Sequence, residues 1–189
     1  MESFTDIAKL NACIEDPPGV QFQSDMDAVE SQIWLFLELE RTRGVTSHAE
    51  LDAQHSDLFW VARGAVVTAF SALDRLIHAL LERSLGQVGF ERVRYQTFQS
   101  TEQISKAMKL IGVADIYAKV AAKYSKDVMT PVQVKSALDT YYRRKNRITH
   151  HADSDIVGNR LSISISQAHE CCKFVREFGI DLHSVVFGI

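Results

Sequence analysis

The chain of 189 residues has the length of one domain, because it is long enough to bury a hydrophobic core and short for two. Its 46% hydrophobic and 24% charged residues are ordinary for a globular protein and exclude a low-complexity or fibrous chain. The formal charge of −3 at pH 7 excludes a broadly basic surface that coats nucleic acid, although a local basic site is compatible with it.

The first 23 residues show little periodicity and contain Pro17-Pro18-Gly19, which predicts an N-terminal arm or a short helix that ends in a turn. After the arm, Ser24 is a suitable N-cap for a helix whose apolar residues recur at helical spacing until Gly44. We predict that residues 24–189 form a single helical domain.

The next predicted helix is long and amphipathic, running from about His48 to Leu85, and Gly86 ends it. The width of its apolar face indicates the central helix of a bundle. Its most apolar part is interrupted by charged residues such as Arg63 and Asp74, so it is predicted to be a core helix and not a membrane span.

The remaining segments predict two short helices, a longer helix and a last helix, beginning near Ser100, Ile116, Pro131 and residue 166. Thr130 is the N-cap of the longer helix and Pro131 its first residue. Residues 161–165 alternate like a strand but have no obvious partner, so we interpret them as an extended lead-in to the last helix, 166–178. The predicted fold class is therefore all-α.

Three cysteines, Cys13, Cys171 and Cys172, make a poor disulfide framework, because their number is odd and two of them are adjacent. The N-terminal residues lack a basic region followed by an apolar stretch, so they do not resemble a secretory signal. Together these features predict a reducing, cytoplasmic location.

The most informative segment is the basic end of the longer helix. Four cations fall within five residues, and His150 and His151 follow closely. At about 100° per residue, and with Val134 taken as the zero angle of the apolar stripe, one set of side chains lies about 120–220° away and is predicted to face outward: Arg143, Asn146, Arg147 and His150. Arg144 and His151 form a second pair on the flank. Lys145 returns towards the apolar stripe, where its stem can pack.

Arginine presents fixed donors that suit phosphate oxygens, and histidine titrates near physiological pH. Such a set can transfer protons to and from RNA hydroxyls and stabilise charge at phosphorus without a metal or a cofactor. The alternative is a solvated basic helix end, where histidines are favoured by the macrodipole. Spacing alone leaves both interpretations open.

The same segment resembles the signature of the HEPN superfamily, in which an arginine and a histidine are separated by four to six residues near a helix end, often with Asn after the arginine. Arg144 and His150 are separated by five residues, and the pairs Arg143–His150 and Arg144–His151 by six. If Asn146 is aligned with the family's Asn, Lys145 precedes it. Either Arg144 or Lys145 then fills the motif arginine's role, or catalysis has decayed.

A second stretch, Arg63 to Asp74, is similar to the long early helix of the HEPN subgroup found near RNA-associated genes, and the resemblance extends over roughly residues 45–180. It implies an up-and-down helical bundle that dimerises with itself and cuts RNA as a toxin or phage-defence effector. Arg144, Asn146 and His150 would be catalytic. The implied substrate-binding residues are Arg143, Lys145, Arg147 and His151.

The same resemblance implies that an antitoxin or sensor protein is a partner. The alternative is a non-catalytic helical module of the same fold, which dimerises or binds a nucleotide or partner protein through the basic residues. The displaced arginine favours this second interpretation.

Overall fold

The computed structural model describes residues 16–42, 56–123, 129–150 and 163–188. Every regular element in this part of the chain is a helix, which confirms the predicted all-α class. In chain order the helices are α1 (Pro17–Thr42), α2 (Ser56–Phe90), α3 (Thr101–Leu110), α4 (Ile116–Lys123), α5 (Pro131–His150) and α6 (Ile165–Phe187). His48, His151 and the predicted loop at 152–160 lie outside the described residues.

Helix α1 begins seven residues before the predicted N-cap at Ser24, so that placement was wrong. Pro17 occupies its first position, where a missing N–H costs nothing, and Asp16 accepts the first helical hydrogen bond from Val20 N at 2.8 Å. Pro17-Pro18-Gly19 therefore starts a helix instead of a turn. Of the predicted arm, residues 1–15 lie outside the described part.

The core lies between α1, α2 and α6. Phe22 of α1 is 1% exposed and packs directly over Gly179 of α6. A Cβ atom on Gly179 would lie 2.2 Å from Phe22 Cζ, so only glycine allows the two helices to approach this closely.

Helix α2 is the central helix, as its wide apolar face predicted. Its fully buried side chains include Ala62, Val66, Leu73, Ile77 and Leu81, and it packs against α1, α5 and α6. Gly86 breaks its helical path with φ 66° and ψ 172°, a conformation that favours glycine, so the predicted end of the regular helix there is confirmed.

Length and composition would allow part of α2, Trp60–Phe90, to cross a membrane. However, 56% of its most apolar stretch is buried inside the bundle, as in the core helix of a soluble protein.

The final helix starts at Ile165, one residue before the predicted start, and extends past the predicted end. Ser164 is its N-cap and forms a reciprocal capping box with Gln167. The helix continues to Phe187, past the predicted end at residue 178. Ile163 and Ser164 precede it as non-helical backbone, which agrees with the predicted lead-in; residues 161 and 162 lie outside the described part.

Charged side chains connect α1 to the two long helices beside it. Arg75 of α2 donates to Asp25 at 2.7 Å, and Arg176 of α6 contacts Glu30 at 2.6 Å and also pairs with Asp27. Asp25, Asp27 and Glu30 are thus paired with arginines of the neighbouring helices, whereas the cations of α5 lie elsewhere on the bundle.

Candidate anion-binding site

Helix α5 presents the basic segment to one side and a row of core residues to the other. Thr130 and Gln133 cap its start reciprocally: Thr130 N donates to Gln133 Oε1 at 2.8 Å, and Gln133 N donates to Thr130 Oγ1 at 3.3 Å. Val134, Leu138 and Tyr142 are buried, and Tyr142 packs on Phe70 of α2 with ring centroids 4.4 Å apart. This row fixes which way the following cations point.

Three of the cations line one cleft. It encloses ≈ 380 Å³ between α5 and the first half of α6. Among the described residues, its lining consists of Thr140, Tyr141, Arg143, Arg144, Arg147, Ile163, Gln167 and Cys171. None of these described residues is acidic, and three are arginines, so together they favour an anionic ligand.

Arg143 and Arg147 are exposed and lie four residues apart, on successive turns of α5. No carboxylate in the described ranges pairs with either of them. Arg144 is half-buried beside them. Two guanidinium groups on one helical face can bind the same phosphate from two sides.

The wall opposite the arginines comes from the start of α6. Gln167 Oε1 accepts a hydrogen bond from Ser164 N at 3.1 Å, which holds this side chain at the cleft. The cleft also borders the first turn of α6, where the macrodipole adds to the positive potential.

The remaining lining is apolar or uncharged. Tyr141 is half-buried against Phe174, with ring centroids 5.3 Å apart, and burial raises the pKa of its phenol. Burial also raises the pKa of the Cys171 thiol well above its usual range and that of Cys172 to about 12. Both cysteines therefore remain uncharged thiols that are buried in the core.

His150 is the last residue of α5 and is exposed, as predicted for an outward side chain. It does not line the cleft. Its position is three residues, or about one turn, after Arg147, and two turns, about 10 Å along the axis, after Arg143. His150 therefore lies beyond one end of the arginine-lined cleft and next to its last cation.

Asn146 departs from the predicted outward arrangement. It is half-buried, and no residue of the described ranges donates a hydrogen bond to its buried Oδ1 atom; the buried hydroxyl of Tyr142, one turn earlier, likewise has no partner in these ranges. Four residues span about 400° around a helix, which is about 40° more than a full turn. Each step from Val134 to Leu138, Tyr142 and Asn146 therefore moves the buried row about 40° around the helix. Angles measured only from Val134 do not include this rotation. They therefore placed Asn146 on the outward face, although it lies at the edge of the buried row.

The predicted substrate-binding residues are only partly brought together. Arg143, Arg147 and the predicted catalytic Arg144 share the cleft, whereas Lys145 is half-buried outside it, as its return to the apolar stripe predicted. The α6 side of the cleft was not predicted from the sequence. The Ser164-x-x-Gln167 capping pattern was a signal for it, because this pattern marks the start of the helix that faces the cations.

No three His, Cys, Asp or Glu side chains of the described ranges gather at spacing that could hold a metal ion. What the residues offer instead is a set of fixed cations, an amide and an exposed imidazole.

Fold and site together define an all-helical protein with an arginine-lined cleft beside an exposed histidine. Comparison of the chain with family models, with curated proteins and with solved structures found no match. Membership of the HEPN superfamily remains a prediction that rests on the motif of α5 and the stretch in α2.

Proposed function

We propose that this protein is a metal-independent endoribonuclease of the HEPN type. The observation that carries the proposal is the arrangement on α5, where three arginines line one cleft and the helix then ends in the exposed His150. Arginines bind and neutralise phosphates, and an imidazole one turn away can move a proton at the neighbouring phosphodiester.

In the proposed reaction the 2′-hydroxyl of RNA attacks the adjacent phosphorus while a histidine accepts its proton. The P–O5′ bond breaks, and the leaving 5′-oxygen takes a proton from an imidazolium. The products are a 2′,3′-cyclic phosphate and a free 5′-hydroxyl. Arg147, the cation nearest to His150, and Arg144 would stabilise the additional negative charge at phosphorus.

A single chain supplies one exposed His150, whereas this reaction needs a base and an acid. We propose that two copies pair through the outward face of α5, so that two histidines and two sets of arginines share one cleft. Lys145 and His151 would contact RNA at its edge. The cytoplasmic setting, the role as a toxin or defence effector and an antitoxin or sensor partner belong to this proposal as well.

A non-catalytic module that binds an anionic ligand is the second candidate. It is favoured by the position of His150 outside the cleft and by the inward amide of Asn146, which the motif would place at the reaction centre. The arginines would then bind a ligand that is never cleaved.

Changing His150 to Ala separates the two candidates. For a nuclease we expect RNA cleavage by the purified variant to fall about 10²–10⁴-fold, the usual contribution of an acid–base group. Unfolding free energy should change by less than about 0.5 kcal/mol, because the side chain is exposed. His169→Ala, on α6 and outside the cleft lining, is the matched control and should cleave normally. Unchanged cleavage by His150→Ala would contradict the proposal, and absence of cleavage by the unaltered protein would favour the binding module.

A further inference from the structure

The cleft between α5 and α6 is larger than a phosphate needs. Its ≈ 380 Å³ falls within the about 300–1,000 Å³ that is usual for pockets of small organic ligands, and a water molecule takes only about 30 Å³. An anion bound by the arginines would leave most of this space to whatever is attached to it.

The cleft lining combines two kinds of chemistry. Arg143 and Arg147 supply exposed cations, while Tyr141 of the same helix supplies an aromatic ring and Ile163, just before α6, an aliphatic side chain. Tyr141 is fixed by its contact with Phe174 and costs little further ordering when a planar ligand packs on it. A ligand with one anionic and one flat apolar part matches both parts of this lining.

Gln167 adds a hydrogen-bonding group with a defined direction. Its Oε1 is already used by the backbone N–H of Ser164 in the capping box. The NH₂ group of the amide is not used in the capping box, so it can donate to an acceptor such as a base carbonyl oxygen.

The position along α5 relates the cleft to His150. The cleft reaches back to Thr140, ten residues or about 15 Å along the axis from His150, and its nearest cation is Arg147. A ligand in the cleft therefore lies next to the phosphate that His150 can reach and does not occupy the position of that phosphate.

We propose that this cleft is a mononucleotide subsite, in which Arg143 and Arg147 hold the phosphate, Tyr141 and Ile163 pack on the base, and Gln167 donates to a base carbonyl. The inference rests on the proposed function, because the bound nucleotide is taken to be the part of the RNA chain that lies next to the cleaved bond. In that role the subsite selects which nucleotide flanks the cut.

Binding of guanosine 3′-monophosphate by the full chain, measured by calorimetry and compared with inorganic phosphate, tests this assignment. We expect the nucleotide to bind at least tenfold more tightly than phosphate, because only the nucleotide uses both the cations and the apolar part of the lining. Equal affinities would overturn the inference, since the cleft would then be a simple phosphate site.

Variants locate the binding in the cleft. Arg147→Gln should weaken binding of both probes about tenfold, whereas Gln167→Leu should weaken nucleotide binding about threefold to tenfold and leave phosphate binding unchanged. Lys173→Gln is the control, because Lys173 is an exposed cation of α6 outside the cleft lining. If Lys173→Gln weakens binding as much as Arg147→Gln does, general surface charge explains the binding and the inference fails.

The outcomes also separate the subsite from the proposed catalysis. His150→Ala should bind the nucleotide with unchanged affinity while it loses cleavage. A protein that cleaves RNA but does not bind the mononucleotide would overturn the subsite alone, and one that binds it without cleaving RNA would overturn the nuclease and support the subsite.

Discussion

Replacing Gly179 with Ala tests the close approach of α1 and α6. The new Cβ would lie 2.2 Å from Phe22 Cζ and 2.5 Å from Cε1, far inside van der Waals contact. Phe22 is 1% exposed and enclosed by the core, so its ring cannot swing away without displacing other buried side chains. Overpacking of this kind costs about 1–3 kcal/mol, and the upper end applies because the clash involves a rigid ring.

Alanine also gains about 1 kcal/mol over glycine inside a helix, so the expected net loss of unfolding free energy is about 2 kcal/mol. At about 2–4 °C per kcal/mol for a chain of this size, Tm should fall by about 4–8 °C. Urea unfolding followed by circular dichroism measures the loss as a lower midpoint with an unchanged slope.

Gly64→Ala is the matched control, because Gly64 is an exposed glycine of α2 and its new methyl group would meet no atom within 4 Å beyond the backbone of its own helix. It should gain stability by up to about 1 kcal/mol. Adding Phe22→Leu to Gly179→Ala should recover part of the loss. If Gly179→Ala is as stable as Gly64→Ala, the close contact between Phe22 and Gly179 does not restrict residue 179 to glycine.

Three further predictions concern the reaction, the assembly and pH. RNA cleavage should survive EDTA, and RNA with 2′-deoxy or 2′-O-methyl at the cut site should resist cleavage, because its attacking hydroxyl is absent; cutting of the deoxy strand would refute the mechanism. Light scattering at tens of micromolar should find a dimer, and a monomer alone would argue against the shared cleft. Burial and Arg83 lower the pKa of His183, which hydrogen-bonds to Asp16 at 2.9 Å. The folded chain therefore binds a proton at this histidine less readily than the unfolded chain, so its contribution to stability is complete above its unfolded pKa of about 6.5 and is lost as pH falls through its lower folded pKa. The urea midpoint should therefore drop on acidification, and less so in His183→Gln.

Sequence periodicity predicted the helices well where an apolar stripe repeats over several turns. The long central helix followed from such a stripe. Its end at Gly86 and the start of α5 at Thr130-Pro131 followed instead from residues that end and begin helices. The start of α1 was misplaced because Pro17-Pro18-Gly19 fits a turn as well as a helix start, and burial of Phe22 decides between them only in the folded chain.

The candidate site was predictable on one helix and not across two. Periodicity gave the outward positions of Arg143, Arg147 and His150, because these depend only on α5 itself. Gln167 lies on α6 and Ile163 lies two residues before it, and no local pattern determines how α5 and α6 meet. The inward turn of Asn146 likewise depends on how α5 crosses α2.

Whether the arginines of α5 face the cleft depends on the number of residues that separate them from the buried row of the same helix. Tyr142 anchors the helix in the core, and the cations follow it immediately, so inserting one alanine between Tyr142 and Arg143 would rotate all later residues by about 100° and leave the core residues before it in place. Alanine and asparagine would then stand where Arg143 and Arg147 now stand, and one arginine would face the cleft instead of three. Two chains with nearly the same composition could thus fold alike and differ in whether they bind an anion. For this helix, the number of residues between the buried row and the cations determines anion binding as much as the identity of the residues does.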